Sequence, residues 1–424
     1  MSSSKWKEIL LGDYINIKHG YAFKGEFFSE TETEDILVTP GNFKIGGGFK
    51  EDKLKFYNGE CPEEYVLKPN DVIVTMTDLS KIGDTLGYSA LVPHNEKRRY
   101  LHNQRIGLVE FLSQVVNPSF IYWRLRSNDY QKFIVGSASG STVKHTSPKT
   151  IKSFRLNLPP LPEQSAIAAT LSCLDDMIKL NNRTNQVLEE MAQAIFKHWF
   201  VEFEFPNEDG QPYKSSGGEM ADSELGEIPQ GWRVGSLLDI ADYLNGLAMQ
   251  KFRPKEDEKG YPVLKIKELR QGMTNSSSEM CSENINLNYI VNDGDLIFSW
   301  SGSLLVDFWC GGKCGLNQHL FKVTSDKYDK WYCYYWTNYH LQKFIGIAKD
   351  KATTMGHIKR GDLEKSQVLI MDDTNYRKLA SICKPIIETI IANRVENRKL
   401  ILIRDTLLPK LMSGEIRVPT EEVC

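Results

Sequence analysis

Two groups of hydroxyl, amide and cationic side chains recur in this sequence in the same order. The first comprises Thr77, Ser80 and Lys81, then Gln104 with Arg105, then Lys144, His145, Lys149 and Lys152. The second comprises Ser299, Ser301 and Ser303, then Gln318, then His357, Lys359 and Arg360. These residue types suit one chemistry: ammonium and guanidinium groups pair with phosphate oxygens, while Gln, Arg, Ser and Thr match the donors and acceptors on base edges. For any single position the plain alternative is a solvated polar residue; recurrence at matched positions narrows that gap. From Tyr130 to Pro162 there is no acidic residue, and Lys132, Lys144, Lys149, Lys152 and Arg155 stand beside Gly136-Ser-Ala-Ser-Gly-Ser-Thr142, the makings of a phosphate-contacting patch. The whole chain of 424 residues carries a formal charge of −3, so such a surface must be local.

Catalytic constellations are missing. Gly46-Gly-Gly48 and Gly311-Gly-Lys-Cys314 are only fragments of phosphate-cradling loops. Asn157-Leu-Pro-Pro-Leu161 lacks the aromatic with which an adenine methyltransferase holds a flipped base. The eight histidines never reach metal-like spacing, and Lys255-Glu-Asp-Glu-Lys259 reads as a solvated loop. Cys310-x3-Cys314 is the one close cysteine pair; without a second pair at ligand spacing, packed thiols are preferred to a zinc site. No bound metal or cofactor is expected on this chain. Eight scattered cysteines, an N-terminus without an apolar run and no long apolar stretch argue for reduced thiols in a cytoplasm and against a membrane span.

The elements that must position these residues are written twice. Trp6, Asp13 and Gly20 recur as Trp232, Asp239 and Gly246 on one offset. Pro69-Asn-Asp-Val-Ile-Val74 meets Asp293-Gly-Asp-Leu-Ile-Phe298, Asn103-Gln104 meets Asn317-Gln318, and Thr142-Val-Lys-His145 meets Thr354-Met-Gly-His357, the offset drifting as loops change length. Runs such as Asp71-Val-Ile-Val-Thr75 and Asp295-Leu-Ile-Phe-Ser299 predict short strands. Pro118–Arg126 and Asp329–Trp336 each predict one helix. Tyr122-Trp123 and the aromatics of 331–336 suit either base stacking or, preferably, the core of a short helix.

Each copy ends in a heptad seam. Positions Ile167, Leu171, Leu174, Ile178, Asn181, Asn185, Leu188, Ala192, Ile195 and Trp199 alternate spacings of four and three. At a fixed offset the second copy places Leu379, Cys383, Ile386, Ile390, Asn393, Asn397, Leu400, Arg404, Leu407 and Leu411. Matched length, phase and asparagine pairs predict mutual packing as an antiparallel coiled coil, against the alternative that each helix packs only on its own domain. A helix over 163–200 is roughly 55 Å long, more than one turn of duplex DNA. Lys197-His198-Trp199-Phe200 and Arg404, at the seam ends, suit either partner docking or helix-end contacts.

The expected fold is therefore α+β: two pseudo-symmetric repeats, each a mixed α/β domain followed by a long helix. Domain boundaries are placed at 1–157, 158–205, a linker at 206–225, 226–371, and 372–424. An antiparallel helix pair would hold the two domains at opposite ends.

Leu158-Pro-Pro-Leu-Pro-Glu-Gln164, Gly226-Glu-Ile-Pro-Gln-Gly-Trp232 and Leu407-Leu-Pro-Lys-Leu-Met-Ser-Gly-Glu-Ile416, in that order around a direct repeat, resemble the specificity subunits of type I restriction–modification systems over nearly the whole chain. The resemblance implies a non-catalytic subunit whose two target-recognition domains each read half of a bipartite sequence in double-stranded DNA. It also implies that the helices dock two methyltransferase subunits, joined by restriction and motor subunits, so that S-adenosylmethionine, ATP and magnesium belong to those partners. Met371-Asp-Asp-Thr-Asn-Tyr376 departs from the Pro-rich opening of the first helix. Two rival readings are a protein scaffold that never touches DNA and an enzyme fused to a recognition domain.

Overall fold

A computed structural model describes residues 6–350 and 356–419. The matched Thr354 and the extreme C-terminus lie outside the described residues. Contacts divide the chain into two units, residues 1–176 with 401–424, and residues 177–400.

In the first unit the β-branched run after Asp71 forms the strand Val72–Thr75, buried at every position. It sits inside an antiparallel sheet ordered Ile15–His19, Ile106–Phe111, Val72–Thr75, Ser89–Leu91. A second sheet is centred on a parallel pair, Asp35–Val38 with Arg99–His102. A third pairing joins the beginning of the domain to its end, Lys7–Leu10 with Arg155–Leu158. The expected helix forms at Pro118–Arg124, where Pro supplies a pre-set φ and the Asn117 side chain accepts from the Phe120 amide at 3.1 Å.

The second unit repeats this plan. Its first sheet runs Asp242–Asn245, Leu320–Thr324, Leu296–Ser299, Leu305–Phe308, and its second is centred on the parallel pair Tyr261–Leu264 with Cys314–Leu316. Arg233–Ser236 pairs with Gln367–Ile370 to close the domain. The predicted helix at 329–336 appears as Lys330–Tyr339. Tyr122, Trp123, Trp331, Tyr332, Tyr335 and Trp336 are all buried, so these aromatics are core and offer no open face for stacking.

The two long helices are Leu161–Phe196 and Asp373–Ser413. The first ends in a wider π turn, Lys197–Val201, in place of the regular helix expected to Phe200. Trp199 and Phe200 on that turn enter the core of the second unit, while Lys197 and His198 both reach Glu202. No seam position on either helix is exposed to solvent. In the first unit Ile167, Leu171 and Leu411 join the domain core, as do Ala192, Leu379, Cys383, Ile386 and Ile390 in the second. Also in the second unit, Asn181 donates to Asn397 at 3.0 Å and Asn393 donates to Asn185 at 2.8 Å. These contacts ascend one helix as they descend the other. Arg404, in the first unit, lies 2.5 Å from Asp175, which also takes Arg126 at 2.8 Å.

The Pro-Glu-Gln opening of the first helix has a structural reason. Gln164 is fully buried; its carbonyl accepts from the Asn117 amide at 2.8 Å and its amide donates to Val115 and Pro159 carbonyls. In the divergent second copy the Tyr376 hydroxyl accepts from the Asp329 amide at 2.7 Å, at the same point relative to the following short helix. Asp372 then caps the helix in place of proline, accepting from the amides of Thr374 and Asn375 at 2.9 Å. A different residue makes the same clasp.

Candidate nucleic-acid interface

The candidate residues of the first unit come together through one backbone crossing. Met76, between the central strand and the short strand Thr77–Asp78, donates its amide to the Arg105 carbonyl at 2.9 Å and accepts from the Thr146 amide at 3.0 Å. Thr77–Asp78 pairs with Lys144–His145. This juxtaposes segments from three parts of the chain: 76–81, 104–105 and 144–146. The Thr75 hydroxyl donates to the Thr77 carbonyl at 2.8 Å, and the Thr77 hydroxyl meets His145 Nδ1 at 3.2 Å. Thr77 is buried, whereas Lys81, Gln104, Arg105, His145 and Lys149 are exposed.

Supporting residues aim that set. Asn103 Oδ1 accepts from the Arg105 amide at 3.0 Å, a local turn that presents Gln104 and Arg105 outward. Gly20 lies so close beneath that a Cβ there would stand 2.1 Å from the Asn103 carbonyl oxygen. Ser147 caps the helix Pro148–Lys152, accepting from the Thr150 amide at 3.1 Å. Lys149 and Lys152 on that helix line a shallow cavity of about 660 Å³ with His19, and Lys152 also reaches Asn16 Oδ1 at 3.2 Å. Ser80 turns inward, accepting from the amides of Gly83 and Asp84. Burial would raise the Asp78 carboxyl, but bonds from Thr85 and Ser80 outweigh it and hold it below the ordinary carboxylate range.

The second unit makes the same crossing. Trp300, at the Met76 position, donates to the His319 carbonyl at 3.4 Å and accepts from the Ile358 amide at 3.2 Å. Ser301 is bridged to His357 as Thr77 is to His145. Asn317 Oδ1 accepts from the His319 amide at 3.2 Å, and a Cβ at Gly246 would stand 2.2 Å from the Asn317 carbonyl oxygen. Gln318 is half-buried beside His319, while Ser303, His357, Lys359 and Arg360 are exposed. Ser299, expected among the contact residues, is fully buried; its hydroxyl donates to the Ser303 carbonyl at 2.9 Å, so it supports the loop rather than facing a ligand.

The chemistry presented differs between the copies. The Ser301 hydroxyl meets His319 Nδ1 at 3.0 Å, and His319 stands where the first unit has Arg105. His357, Lys359 and Arg360 instead face Tyr243, Trp300 and Phe321 across a cavity of about 640 Å³. His319 and Trp300 were not singled out by sequence reasoning. His319 was legible, because it follows Asn317-Gln318 as Arg105 follows Asn103-Gln104; Trp300 was not, because Met76 shares its place but not its chemistry.

Away from this surface, Cys310 and Cys314 are buried, which pushes their thiols up to about 11 and about 12 and so disfavours the thiolate that a metal takes. Among the described residues no group of three His, Cys, Asp or Glu side chains is placed to hold a metal ion, and no helix is long and apolar enough to cross a membrane.

The family model described as the type I restriction modification DNA specificity domain matches residues 3–190 and again residues 229–400. The MjaIX type I specificity subunit of Methanocaldococcus jannaschii is 29% identical over 310 residues, covering 72% of this chain and 70% of that protein. The HindI specificity subunit of Haemophilus influenzae is 23% identical over 404 residues, covering 79% and 87%. Among solved structures, the type I restriction–modification S subunit from M. genitalium has the same fold, with a TM-score of 0.59, 15% identity and 97% of each chain covered.

Proposed function

This chain belongs to the type I restriction–modification DNA specificity family, and from that premise we propose that its two units read the two halves of one gapped target in double-stranded DNA. It is a specificity subunit with two recognition domains and is not itself an enzyme. The observation that carries the proposal is the doubled crossing at Met76 and Trp300. The same backbone frame gathers a hydroxyl and imidazole pair, an Asn-Gln turn and nearby cations in each unit, yet fills that frame with different side chains. A shared frame with unlike contact groups suits two recognition sites of unlike sequence.

In this reading Lys81, Arg105, Lys144, Lys149, Lys152, Lys359 and Arg360 neutralise phosphates. Thr77, Gln104, His145, Ser301, Ser303, Gln318 and His357 face or position groups that face base edges. The long helices, 36 and 41 residues, act as an antiparallel coiled coil that sets the gap between half-sites. Two methyltransferase subunits dock on them, and restriction and motor subunits complete the assembly in the cytoplasm. S-adenosylmethionine, ATP and magnesium are used by those partners.

The test is co-expression with a type I methyltransferase subunit from the same genome, followed by mapping of methylated adenines across the host genome. A gapped two-part motif is expected. An assembled complex that methylates no defined sequence would overturn the reading and favour a scaffold.

A further inference from the structure

One stretch of the first recognition frame has no counterpart in the second. Val74 pairs with Ser89 across the hairpin that follows the central strand, whereas the matching Phe298 pairs with Val306. The first connection is therefore seven residues longer than the second. Its tip holds Leu79 and Ile82, which are 67% and 74% exposed, apolar side chains presented to solvent with exposed Lys81 between them.

The loop is built to hold that presentation. The Asp78 carboxylate accepts from the amides of Ser80 and Thr85 and from the Thr85 hydroxyl, all at 2.6 Å. The Ser80 hydroxyl accepts from Gly83 and Asp84, and Gln131 donates to the Gly83 carbonyl at 2.9 Å. A frame tied at so many points keeps Leu79 and Ile82 from folding back onto the unit. The loop also rises directly from Thr77–Asp78, the strand paired with Lys144–His145. Lys81 on the loop and Lys144, whose side chain lies 3.7 Å from where a Cβ at Gly83 would stand, supply cations beside it, while the Asp78 carboxylate is taken up by the loop's own amides. Apolar groups on a rigid, cation-flanked loop match the wedges that enter a base step and unstack it.

We propose that Leu79 and Ile82 form an apolar wedge that enters a base step in the half-site read by the first unit and unstacks it, a distortion that the second unit does not impose. The proposal rests on the reading of this chain as a DNA specificity subunit. It adds indirect readout, favouring an easily unstacked pyrimidine–purine step at that place.

The experiment uses the assembled complex of the full chain with its methyltransferase, on duplexes bearing the mapped motif. 2-Aminopurine is placed in turn at each position of both half-sites except the methylated adenines. A rise in fluorescence is expected in one half-site only, and is lost in the Leu79→Ser, Ile82→Ser double variant. That variant should also bind the target about tenfold or more weakly, with an unchanged salt slope because no phosphate contact is lost. The single variant Lys81→Ala should instead lower the salt slope and keep the fluorescence. Silence at every position, a response in both halves, or a response that survives the double variant overturns the wedge while the mapped motif still stands. Impaired assembly of the double variant with methyltransferase in the absence of DNA would assign the loop to a protein contact and equally overturn it.

Discussion

At the scale of single residues, the hydroxyl and imidazole pairs offer the sharpest test of which unit reads which half. Thr77→Val removes the group that meets His145 without changing the side chain's shape, and Ser301→Ala deletes the hydroxyl that meets His319. Each variant should relax base preference in one half-site only and weaken target binding about tenfold. Motif mapping in the two strains checks this; degeneracy in both halves from one substitution would show that the pairs are general supports. His102 makes a different prediction. It is fully buried under the Gln104 turn, with Nε2 2.9 Å from the Ile106 carbonyl and no partner at Nδ1 among the described residues. Burial lowers its pKa to about 4, the bond to Ile106 and Glu110 opposing and Lys18 and His19 assisting. The unfolded chain therefore binds a proton before the folded one does, and stability present above the ordinary histidine value near 6.5 is lost as pH falls through about 4, by about 3 kcal/mol at most. The matched position in the second unit is Leu316. His102→Leu should flatten the denaturation midpoint between pH 6.5 and 4; an unchanged acid limb would place the titration elsewhere.

At the scale of elements, the asparagines explain why the long helices were so legible. A heptad seam is a repeating pattern, and two copies of it with polar residues at the same phase state their own register. In the second unit Asn181 meets Asn397 and Asn185 meets Asn393, so the polar positions satisfy one another. Asn397→Leu alone should lower the denaturation midpoint, at a cost of about 1 kcal/mol, by removing one of the two acceptors of the Asn181 amide, the other being Glu396, together with the donor to Asn182. Adding Asn181→Leu should recover that loss, because an apolar pair replaces a polar one while the exposed Glu396 and Asn182 turn to water. Additive losses in the double variant would mean that the two side chains act separately. The globular elements were less legible. Central strands and the Asn117-capped helix carry local signals, as do the amphipathic helices Asn128–Gly136 and Leu341–Asp350 with their shared Gln-Lys-Phe-Ile string, but the closing pairs such as Lys7–Leu10 with Arg155–Leu158 do not. The last of these joins residues about 150 apart, and nothing in a local window states such a partner. Residue type and recurrence pointed to the segments that the two crossings bring together, 76–81, 104–105 and 144–146 in the first unit and 300–303, 318–319 and 357–358 in the second. Ser299 misled because a serine at a strand end looks the same whether it faces water or, as here, a carbonyl in the interior.

For the whole molecule, the proposed reading makes the spacing between half-sites a property of helix length, and this can be tested without knowing a single base contact. Seven residues inserted into each long helix at matched seam positions rotate the following segment by only about 20° and keep the heptad phase. They lengthen each helix by about 10 Å, equivalent to up to about three base pairs of duplex. If the helices set the gap, the mapped motif should keep both half-sites and widen its unspecified centre. Four residues in each helix add about 6 Å but turn the seam by about 40°, so that insertion should give a smaller change in gap at a visible loss of stability. Insertion into one helix alone sets Asn181 and Asn185 against apolar positions and should cost more stability than either paired insertion. The ordering matters more than the size of any one effect, because it separates length from phase. A well-folded paired insertion that methylates the original motif with the original gap would show that spacing is imposed by the partner subunits, and would leave the helices only as a docking surface.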